Sequence, residues 1–402
     1  MKMMPRPQKE TILKTLILIG IIAIIASLYI QYGKPYIKEL SLQKQDEQRI
    51  KDLDTLSGMM KDMIAASSTQ FIGNNNTIYI SIPSDNSNCA NLDLPSVPEG
   101  WQYHCVATST LHKTDGTGWI PVKLSEKIKQ LPIDPTNNPE TLNYYAYVAS
   151  STNEYVFTGV LDSKNLLKSK AQNDGGVDSI RYEVGKNLFV WSDAVGLIGY
   201  WPIKERGKVL KDLSGNSNNG IIFNDPIFNL NSPSNKSFIK FSANLDYVKI
   251  KSEQINQLKR FTVATYFLVD PDSNSNTIVL GNYGGNAKGF QIRQENNSIV
   301  GTMGMGNGSN IDLISKNEKG KWYFVTLTFD GESLSLYVNG KIKESREVNQ
   351  IDMVSGFDIN IGKNAWDSKR QLKGEVGETR IYQTSLSRTE ILKMYASFNQ
   401  QN

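Results

Sequence analysis

The chain has 402 residues, 39% of them hydrophobic and 21% charged, which is enough for about two or three globular domains with adequate cores. Its formal charge of +4 is small for this length, and the basic residues Lys2, Arg6, Lys9 and Lys14 all precede the first apolar run. A nucleic-acid-binding surface needs a clustered basic stripe on a folded face. The charge distribution therefore argues against nucleic acid as a partner.

The first predicted element is an apolar helix over residues 15–33, which contain no formal charge. A helix of this length spans about 28 Å, close to the thickness of a bilayer's hydrocarbon core. Tyr29 and Tyr32 stand where an interfacial aromatic belt would lie, and the basic leader 1–14 places the N-terminus in the cytoplasm. A cleavable signal peptide is the alternative, but no small-x-small site precedes Gln31-Tyr32. The pattern predicts a single-pass anchor with all later residues outside.

A second helix is predicted over residues 34–68 as an amphipathic stalk. Gly58 is the only internal glycine in this stretch before Ala66. Apolar residues recur at three- and four-residue intervals between charged ones at Ile50, Leu53, Met60, Met63 and Ile64. Such a stripe predicts packing against the protein's own next domain, and a coiled-coil partner is the alternative.

The two cysteines, Cys89 and Cys105, lie in the following segment, 69–193. In an oxidising compartment they could close a loop, which is worth about 3 kcal/mol in the chain-entropy model. A pair of reduced thiols is the other interpretation. His104-Cys105 is the nearest approach to a zinc motif, but adjacent ligands make a poor chelate.

Segment 69–193 also contains strand patterns that follow a proline-restricted loop. Pro132 and Pro135 restrict the loop L-P-I-D-P-T-N-N. Alternating strand residues follow at Tyr145, Tyr147, Tyr155 and Phe157. The stretch I-R-Y-E-V-G at 180–185 is expected to close a short antiparallel sheet.

These features resemble the type IV pilin and type II secretion pseudopilin family of bacteria. The matching motifs are I-G-I-I-A-I-I-A in the apolar helix, R-I-K-D-L-D-T-L at 49–56, and the loop and strands just described. The resemblance covers residues 10–193 and implies a transmembrane helix followed by an α+β pilin-like head. The family's processing signal, of the type G-F-T-x-x-E, is matched only by Glu10, because no glycine precedes it and Lys14 interrupts the apolar run. We therefore expect a pilin-like protein retained in the bacterial cytoplasmic membrane; assembly with other pilin subunits is the alternative.

From Gly196 onward, short strands alternate with turns rich in Gly, Asn and Asp. The clearest case is 321–341, where a strand-favouring run ends at the turn Asp330-Gly331. A second strand then alternates apolar and other residues up to the turn Asn339-Gly340. Adjacent strands with one apolar face predict two packed sheets.

The order of these segments resembles the concanavalin A-like, laminin G-like domain, a jelly-roll sandwich. The match includes G-L-I-G-Y-W-P-I-K-E, D-L-S-G-N-S-N-N-G, F-T-V-A-T-Y-F, the hairpin above, G-E-V-G-E-T-R-I-Y and L-S-R-T-E-I-L-K-M-Y. It implies an all-β sandwich over residues 196–397, with a terminal helix at 388–395 that caps it. Trp322 is then expected in the core.

Domains of this kind bind glycans or protein ligands, some of them with one calcium ion. The loop D-L-S-G-N-S-N-N-G offers the oxygen ligands that calcium prefers, although Asn and Gly also simply let a loop turn. The calcium ligands that the resemblance implies are Asp212, Asn216, Asn218 and, on a returning strand, Glu378. Exposed aromatic rings stack on sugars, and the predicted ligand-binding residues on loops are Tyr283, Asn286, Trp366 and Asp367.

No catalytic residue is predicted. A glycoside hydrolase needs two carboxylates about 5 to 9 Å apart. Glu375 and Glu378 are the nearest pair, and a spacing of three is expected to point them to opposite faces of a strand. We expect a membrane-anchored pilin-like surface protein whose sandwich binds an extracellular glycan or protein. The alternatives are a structural minor pilin or pseudopilin of a type IV pilus or type II secretion system, and a surface glycoside hydrolase.

Overall fold

The computed structural model describes residues 6–67, 71–230, 237–242, 245–274, 276–348, 354–366 and 369–399. For residues 6–13 and 399 it describes the backbone alone. In chain order the fold consists of a long N-terminal helix, an α+β head and a two-sheet sandwich.

The N-terminal helix is one continuous rod. Helix α1 (Arg6–Leu28) passes through a wider π-helical turn, Tyr29–Gly33, into α2 (Lys34–Ala66). The turn ends two residues before Pro35, which lacks the N–H that a regular helix interior needs. Gly33 fits there because a Cβ would come within 2.7 Å of the Tyr29 ring. Among the described residues this is the one helix long and apolar enough to cross a membrane, and no residue of its apolar part is buried.

The head is an α+β unit with a five-stranded sheet in the order β2-β1-β3-β4-β5. Its strands are β1 (Thr77–Pro83), β2 (Gln102–Val106), β3 (Tyr145–Ala149), β4 (Tyr155–Val160) and β5 (Arg181–Gly185). Its short helical segments are Pro139–Thr141, α3 (Lys164–Leu166) with the π turn Leu167–Ala171, and α4 (Phe189–Val195). The sequence predicted an antiparallel sheet, but β1 and β2 are parallel, because the chain between them crosses back before β2 begins.

The C-terminal half of α2 packs against this sheet. Leu53, Leu56 and Met60 are fully buried in one cluster with the predicted aromatic strand residues of β3 and β4. The apolar stripe is thus confirmed as a packing face against the head. Ring hydroxyls in the cluster are hydrogen-bonded, as in the donation from Tyr155 Oη to the Ser57 carbonyl at 2.8 Å.

A buried ionic network crosses the same junction. Arg49, on α2, donates to the carboxylates of Asp46 (2.6 Å), Asp134 (2.7 Å) and Asp162 (3.1 Å). Arg49 and Asp46 are completely buried. Burial alone would lower the pKa of Arg49, but the surrounding carboxylates raise it above its usual value. These charged residues were not predicted, because the sequence analysis considered only the apolar members of the helix.

Cys89 and Cys105 form a disulfide, with their Cα atoms 5.5 Å apart. The bond ties the loop after β1 to β2, and both cysteines are buried. The predicted pair therefore closes the segment that returns the chain to the edge of the head sheet.

The sandwich consists of two packed sheets, begins at β6 and ends with a helix, α6. Strands β6 to β21 are Leu197–Trp201, Val209–Leu210, Gly220–Phe223, Ile227–Asn229, Phe238–Ser242, Tyr247–Ile250, Phe261–Val269, Asn276–Gly281, Phe290–Glu295, Ser298–Gly304, Asn310–Lys316, Trp322–Phe329, Ser333–Val338, Lys341–Glu347, Ile359–Ile361 and Lys373–Tyr382. The helices are α5 (Glu253–Asn256) and α6 (Arg388–Asn399). One sheet, the head-facing sheet, has the order β19-β18-β17-β12-β21-β10-β9 with β6 also paired to β21. The other, the outer sheet, has the order β16-β15-β14-β13-β20-β11-β8-β7.

The hairpin of β17, β18 and β19 forms as the sequence predicts. Asp330 Oδ1 accepts from the backbone N–H groups of Glu332 (2.8 Å) and Ser333 (2.7 Å), which closes the first turn. Asn339 and Gly340 form the second with positive φ angles of 52° and 71°. The inward residues of this hairpin join those of the outer sheet in one core between the sheets.

The head and the sandwich share a second core. Helix α6 lies between them: Phe398 packs on Phe324 of the head-facing sheet at a ring distance of 5.1 Å, while Lys393 pairs with Asp162 of the head at 2.9 Å. Trp322 is half-buried there and stacks on Tyr266 at 4.7 Å. The terminal helix, predicted at 388–395, therefore extends to Asn399. It fills the junction, with one face against the head and the other against the sandwich.

Candidate ligand-binding site

The loop predicted to bind calcium is held by its own hydrogen bonds. The Asp212 carboxylate accepts from three backbone N–H groups and from the Ser214 hydroxyl, over 2.8 to 2.9 Å. The amide nitrogens of Asn216 and Asn218 donate to carbonyls of β6 at 3.1 and 2.7 Å. Calcium takes about six to eight oxygen ligands, whereas these groups already serve the turn. Among the described residues no cluster of three His, Cys, Asp or Glu side chains could hold a metal.

Glu378 lies apart from that loop, on β21. Its Oε2 accepts from Tyr200 Oη at 3.3 Å, and its Oε1 accepts from Arg380 Nε at 2.6 Å. Tyr200 donates its backbone N–H to Asp212 at 2.9 Å, so the two carboxylates contact opposite ends of this tyrosine. The structure thus does not bring Glu378 together with the other implied calcium ligands, and calcium binding stays a prediction.

The prediction that Glu375 and Glu378 face opposite sides of their strand is wrong. β21 has a bulge after Val376, where its pairing with β12 shifts register. Because of the extra residue, Val376 and Ile381 both enter the core, and the two glutamates both lie on the opposite face. Each carboxylate is ion-paired there with a basic neighbour, at 3.4 and 2.6 Å.

The bulge lies in an interdomain groove of about 570 Å³ between the head and the sandwich. The groove is lined by Lys168 and Asp178 from the head and by Tyr200, Lys204, Tyr266 and Glu378 from the sandwich. Arg380 lies beneath it, with its guanidinium 4.2 Å from the centroid of the Tyr200 ring. Its Nη1 also donates to the Val177 carbonyl of the head at 2.9 Å, which fixes one wall against the other.

Burial sets the electrostatics of the groove. It raises the pKa of Tyr266 to about 12 and that of Tyr200 above its ordinary range, so both hydroxyls remain neutral. For Arg380 burial works in the opposite direction, but Glu378, Tyr200 and Tyr382 outweigh it and raise the pKa well above its usual value. The floor therefore pairs the Arg380 guanidinium with Glu378 beside neutral aromatic rings.

The predicted ligand-binding loop residues do not form one cluster. Tyr283 follows the end of β13, whereas Trp366 follows β20, which runs antiparallel to β13, so the two lie toward opposite ends of that strand pair. Asn286 is exposed with a φ of 59°, and Trp366 is 65% exposed. Asp367 lies outside the described residues. Ligand binding by these residues stays a prediction.

A row of polar side chains crosses the outer sheet between these loops. Register places them side by side on successive strands from β16 to β11. This polar row consists of Asp312, Thr302, Gln291, Gly281, Asn360 and Lys249. The neighbours of Gln291 and Asn360 along their strands enter the core, so the row lies on the face away from it.

One end of the polar row is a preorganised network. Arg293 pairs with Asp312 at 2.9 Å and also contacts the Thr302 hydroxyl. Burial raises the pKa of Asp312, but Arg293 and Thr302 outweigh it, so the carboxylate has a lowered pKa. Asn310 bridges Asp312 (3.0 Å) to the Tyr283 hydroxyl (3.3 Å). Tyr283, predicted from sequence, is thus the link between its loop and the row.

The centre of the polar row is unpaired. Gln291 is 3% exposed and Asn360 5% exposed, yet Gln291 Oε1 and Asn360 Oδ1 accept no hydrogen bond from the described residues. Gly281 lies between them, since it pairs with both. The sequence analysis missed these residues because the row depends on register across six strands, and no local motif signals it.

Residues 242–392 match the laminin G family model described as the concanavalin A-like lectin/glucanases superfamily. The predicted concanavalin A-like, laminin G-like sandwich is confirmed by this match. The pilin-like character of residues 10–193 stays a prediction. No curated protein matches the chain.

Solved structures with a similar shape include binding domains of toxins. The binding domain of Paraclostridial Mosquitocidal Protein 1 has 19% identity and a TM-score of 0.43, covering 50% of this chain and 52% of that one. The receptor binding domain of botulinum neurotoxin C/D mosaic serotype has 19% identity and a TM-score of 0.41, over 50% and 51%. The binding domain of Botulinum Neurotoxin DC, solved in complex with SialylT, has 18% identity and a TM-score of 0.42, over 50% and 51%. The chain spans about half the length of these structures, and similarity this low says nothing about its ligand.

Proposed function

We propose that the chain is a single-pass surface protein of a bacterial cytoplasmic membrane whose sandwich binds an extracellular glycan at the polar row. In this proposal the pilin-like helix and head are the anchor and the support. Recognition is non-covalent, and no residue acts as a catalyst.

The anchor is supported by the helix from Lys14 onward. Its apolar side chains are exposed, with Leu18 at 58% and Ile24 at 61%, although burying such side chains would each gain roughly 1.5 to 3 kcal/mol. The basic leader orients the N-terminus toward the cytoplasm. A disulfide between Cys89 and Cys105 suits an oxidising space beyond the membrane.

The observation that supports glycan binding most directly is the unpaired centre of the polar row. A buried polar atom without a partner costs about 1 to 3 kcal/mol, so its presence calls for an explanation. Other unpaired buried atoms in the described residues lie at Thr158, Ser163, Arg181, Glu183, Asn276 and Thr326, and of these Thr158 and Glu183 are cross-strand partners in the head sheet. Gln291 and Asn360 lie in the sandwich, where they flank the same glycine in one row.

The chemistry of the row favours a hydroxyl-rich ligand. Gln291 Oε1 accepts no hydrogen bond from the described residues, so the amide offers a free acceptor beside its own N–H donors. A sugar hydroxyl both donates and accepts, and it satisfies the amide in either orientation. A carboxylate ligand cannot donate to the Asn360 oxygen, and an ammonium cannot accept from an amide N–H. A glycan is therefore the ligand class that suits the row best.

The test is a glycan array with the full chain in lipid nanodiscs, with and without a chelator. We expect the wild type to bind neutral glycans and Gln291→Met to lose that binding, since the variant keeps the side-chain volume and removes the amide. Gln294→Met is the matched control: Gln294 lies on the same strand and is equally buried, but its Nε2 already donates to the Asn296 carbonyl at 2.9 Å.

Two results would contradict the proposal. One is an array on which the wild type binds no glycan. The other is binding of neutral glycans by Gln291→Met that equals the wild type. Loss of binding on addition of chelator would support the calcium prediction.

A structural role in a pilus is a second candidate, favoured by apolar side chains beyond the predicted membrane segment. Tyr36 is 65% exposed, Ile37 55% and Leu40 47%, and neighbouring helices in a filament would cover them. Mass spectrometry of the mature N-terminus separates the two: cleavage before the apolar helix supports the filament, and an intact leader supports the retained anchor.

A further inference from the structure

The interdomain groove has room for a small ligand of its own. Its volume of about 570 Å³ falls within the range of roughly 300 to 1,000 Å³ typical of ligand sites, which often form between domains. It opens on the head-facing sheet, whereas the polar row lies on the outer sheet. A ligand here would therefore be independent of the polar row.

Aromatic side chains supply the apolar surface of the groove. Tyr200, Tyr266 and Phe398 line its floor and are held in place by packing, with the Tyr266 and Phe398 rings 6.0 Å apart and nearly parallel. Phe189, 45% exposed, stands at its edge. Rigid aromatic surfaces bind the apolar faces of ring-shaped ligands at low entropic cost.

The bulge in β21 supplies a hydrogen-bond acceptor. Glu378 accepts two protein hydrogen bonds, one of them long at 3.3 Å, whereas an ionised carboxylate offers about four acceptor sites. Its side chain is 17% exposed, toward the groove. The neighbouring Gly377 leaves space, because a Cβ there would meet nothing closer than 3.4 Å. Glu378 can thus accept from ligand hydroxyls without giving up Arg380.

The unbalanced charge of the groove is positive. Arg380 is neutralised by Glu378, and Asp178 pairs with Arg181 at 3.6 Å. Lys168 on the head and Lys204 on the sandwich line the groove, and neither ammonium has an ion-pair partner among the described residues. Complementary charge favours an anionic ligand and mainly determines its specificity.

We propose that the interdomain groove binds a saccharide that carries a carboxylate. The sugar ring lies on the aromatic floor, its hydroxyls donate to Glu378, and its carboxylate pairs with Lys168 and Lys204. Because these two lysines come from different units, the ligand would also bridge the head and the sandwich.

The test uses isothermal titration calorimetry on the full chain in nanodiscs of neutral lipid. The probes are a glucuronic-acid disaccharide and the same disaccharide with its carboxyl group methyl-esterified. We expect the acid to bind at least about tenfold more tightly than the ester, and the double variant Lys168→Gln/Lys204→Gln to lose that preference. Both lysines are exposed, so the variant should fold as the wild type does.

Lys129→Gln/Lys251→Gln is the matched control, with one exposed lysine from the head and one from the sandwich that lie outside the groove. It should keep the wild-type preference, as should Gln291→Met, which alters only the polar row. The proposal is overturned if the acid does not bind, if acid and ester bind equally, or if the control double variant weakens binding as much as the groove variant. If Gln291→Met still binds the acidic disaccharide, that binding belongs to the groove and not to the polar row. This conclusion holds whatever the glycan array shows.

Discussion

Two regions of this protein bury polar side chains in opposite ways. At the junction of α2, the head and α6, each side-chain nitrogen of Arg49 donates to an oxygen, and Asp162 also pairs with Lys393 of α6. At the centre of the outer sheet, Gln291 Oε1 accepts no hydrogen bond from the described residues, and the Asn360 amide makes one, a donation to the Asn364 carbonyl at 3.2 Å. Both regions are shielded from solvent to a similar degree.

This difference in hydrogen bonding distinguishes polar side chains that stabilise the fold from polar side chains that are available to a ligand. A fully paired network holds elements in a fixed relation, because no member can leave without exposing a charge. A buried polar atom without a partner costs free energy, and for this reason we assign the centre of the polar row to binding. The ionic network should therefore govern stability, and the polar row should govern binding.

The largest effect is expected at Arg49. Arg49→Met leaves its carboxylate partners buried without a cation, and breaking a buried pair in this way costs about 3 to 5 kcal/mol. Urea unfolding of the full chain in detergent micelles, followed by circular dichroism, measures the loss. Lys51→Met, an exposed neighbour on the same helix, is the control and should unfold like the wild type.

Partial rescue would sharpen this result. Arg49→Met/Asp134→Asn removes one of the stranded carboxylates and should be more stable than Arg49→Met alone. An Arg49→Met protein within about 1 kcal/mol of the wild type would show that the network is not structural.

Asp174, beside the groove, is an intermediate case because its carboxylate is hydrogen-bonded but has no cationic partner among the described residues. Its carboxylate accepts from the backbone N–H groups of Gly176 and Glu183, each at 2.8 Å. Burial nevertheless raises its pKa from 3.8 to about 7. The folded protein therefore holds this proton more tightly than the unfolded chain, so the contribution to stability is complete below 3.8 and is lost as the pH rises through about 7.

Measuring the unfolding free energy as a function of pH tests the predicted loss of stability with rising pH. The unfolding free energy of the wild type, compared with Asp174→Asn, should fall as the pH rises from about 4 to about 8, by at most about 1.4 kcal/mol for each unit of pKa difference. Asp93→Asn, at an exposed aspartate of the head, is the matched control for the substitution. A difference that grows with pH would mean that Asp174 is ionised in the folded protein.

The sequence predicted what local patterns determine. The strands of the 321–341 hairpin, the apolar face of α2 and the sandwich itself follow from periodicity, turn residues and segment order. Features that depend on distant register could not be predicted. The bulge in β21 reverses which side Glu378 faces, and only pairing with β12 reveals it. The polar row needs strands that are far apart in sequence, and the burial of Arg49 needs an aspartate from each of two head loops.

The smallest effect on stability, with the opposite sign, is expected at the polar row. Gln291→Met replaces an unpaired buried amide with an apolar side chain of similar size, so the protein should be as stable as the wild type or more stable by up to about 1 kcal/mol. Gln294→Met removes a donor to the Asn296 carbonyl and should cost about 1 kcal/mol or more. Urea unfolding of the two variants under identical conditions compares the same substitution on one strand. If Gln291→Met were the less stable of the two, Gln291 would have a partner that stabilises the fold, and its role would be structural like that of Arg49.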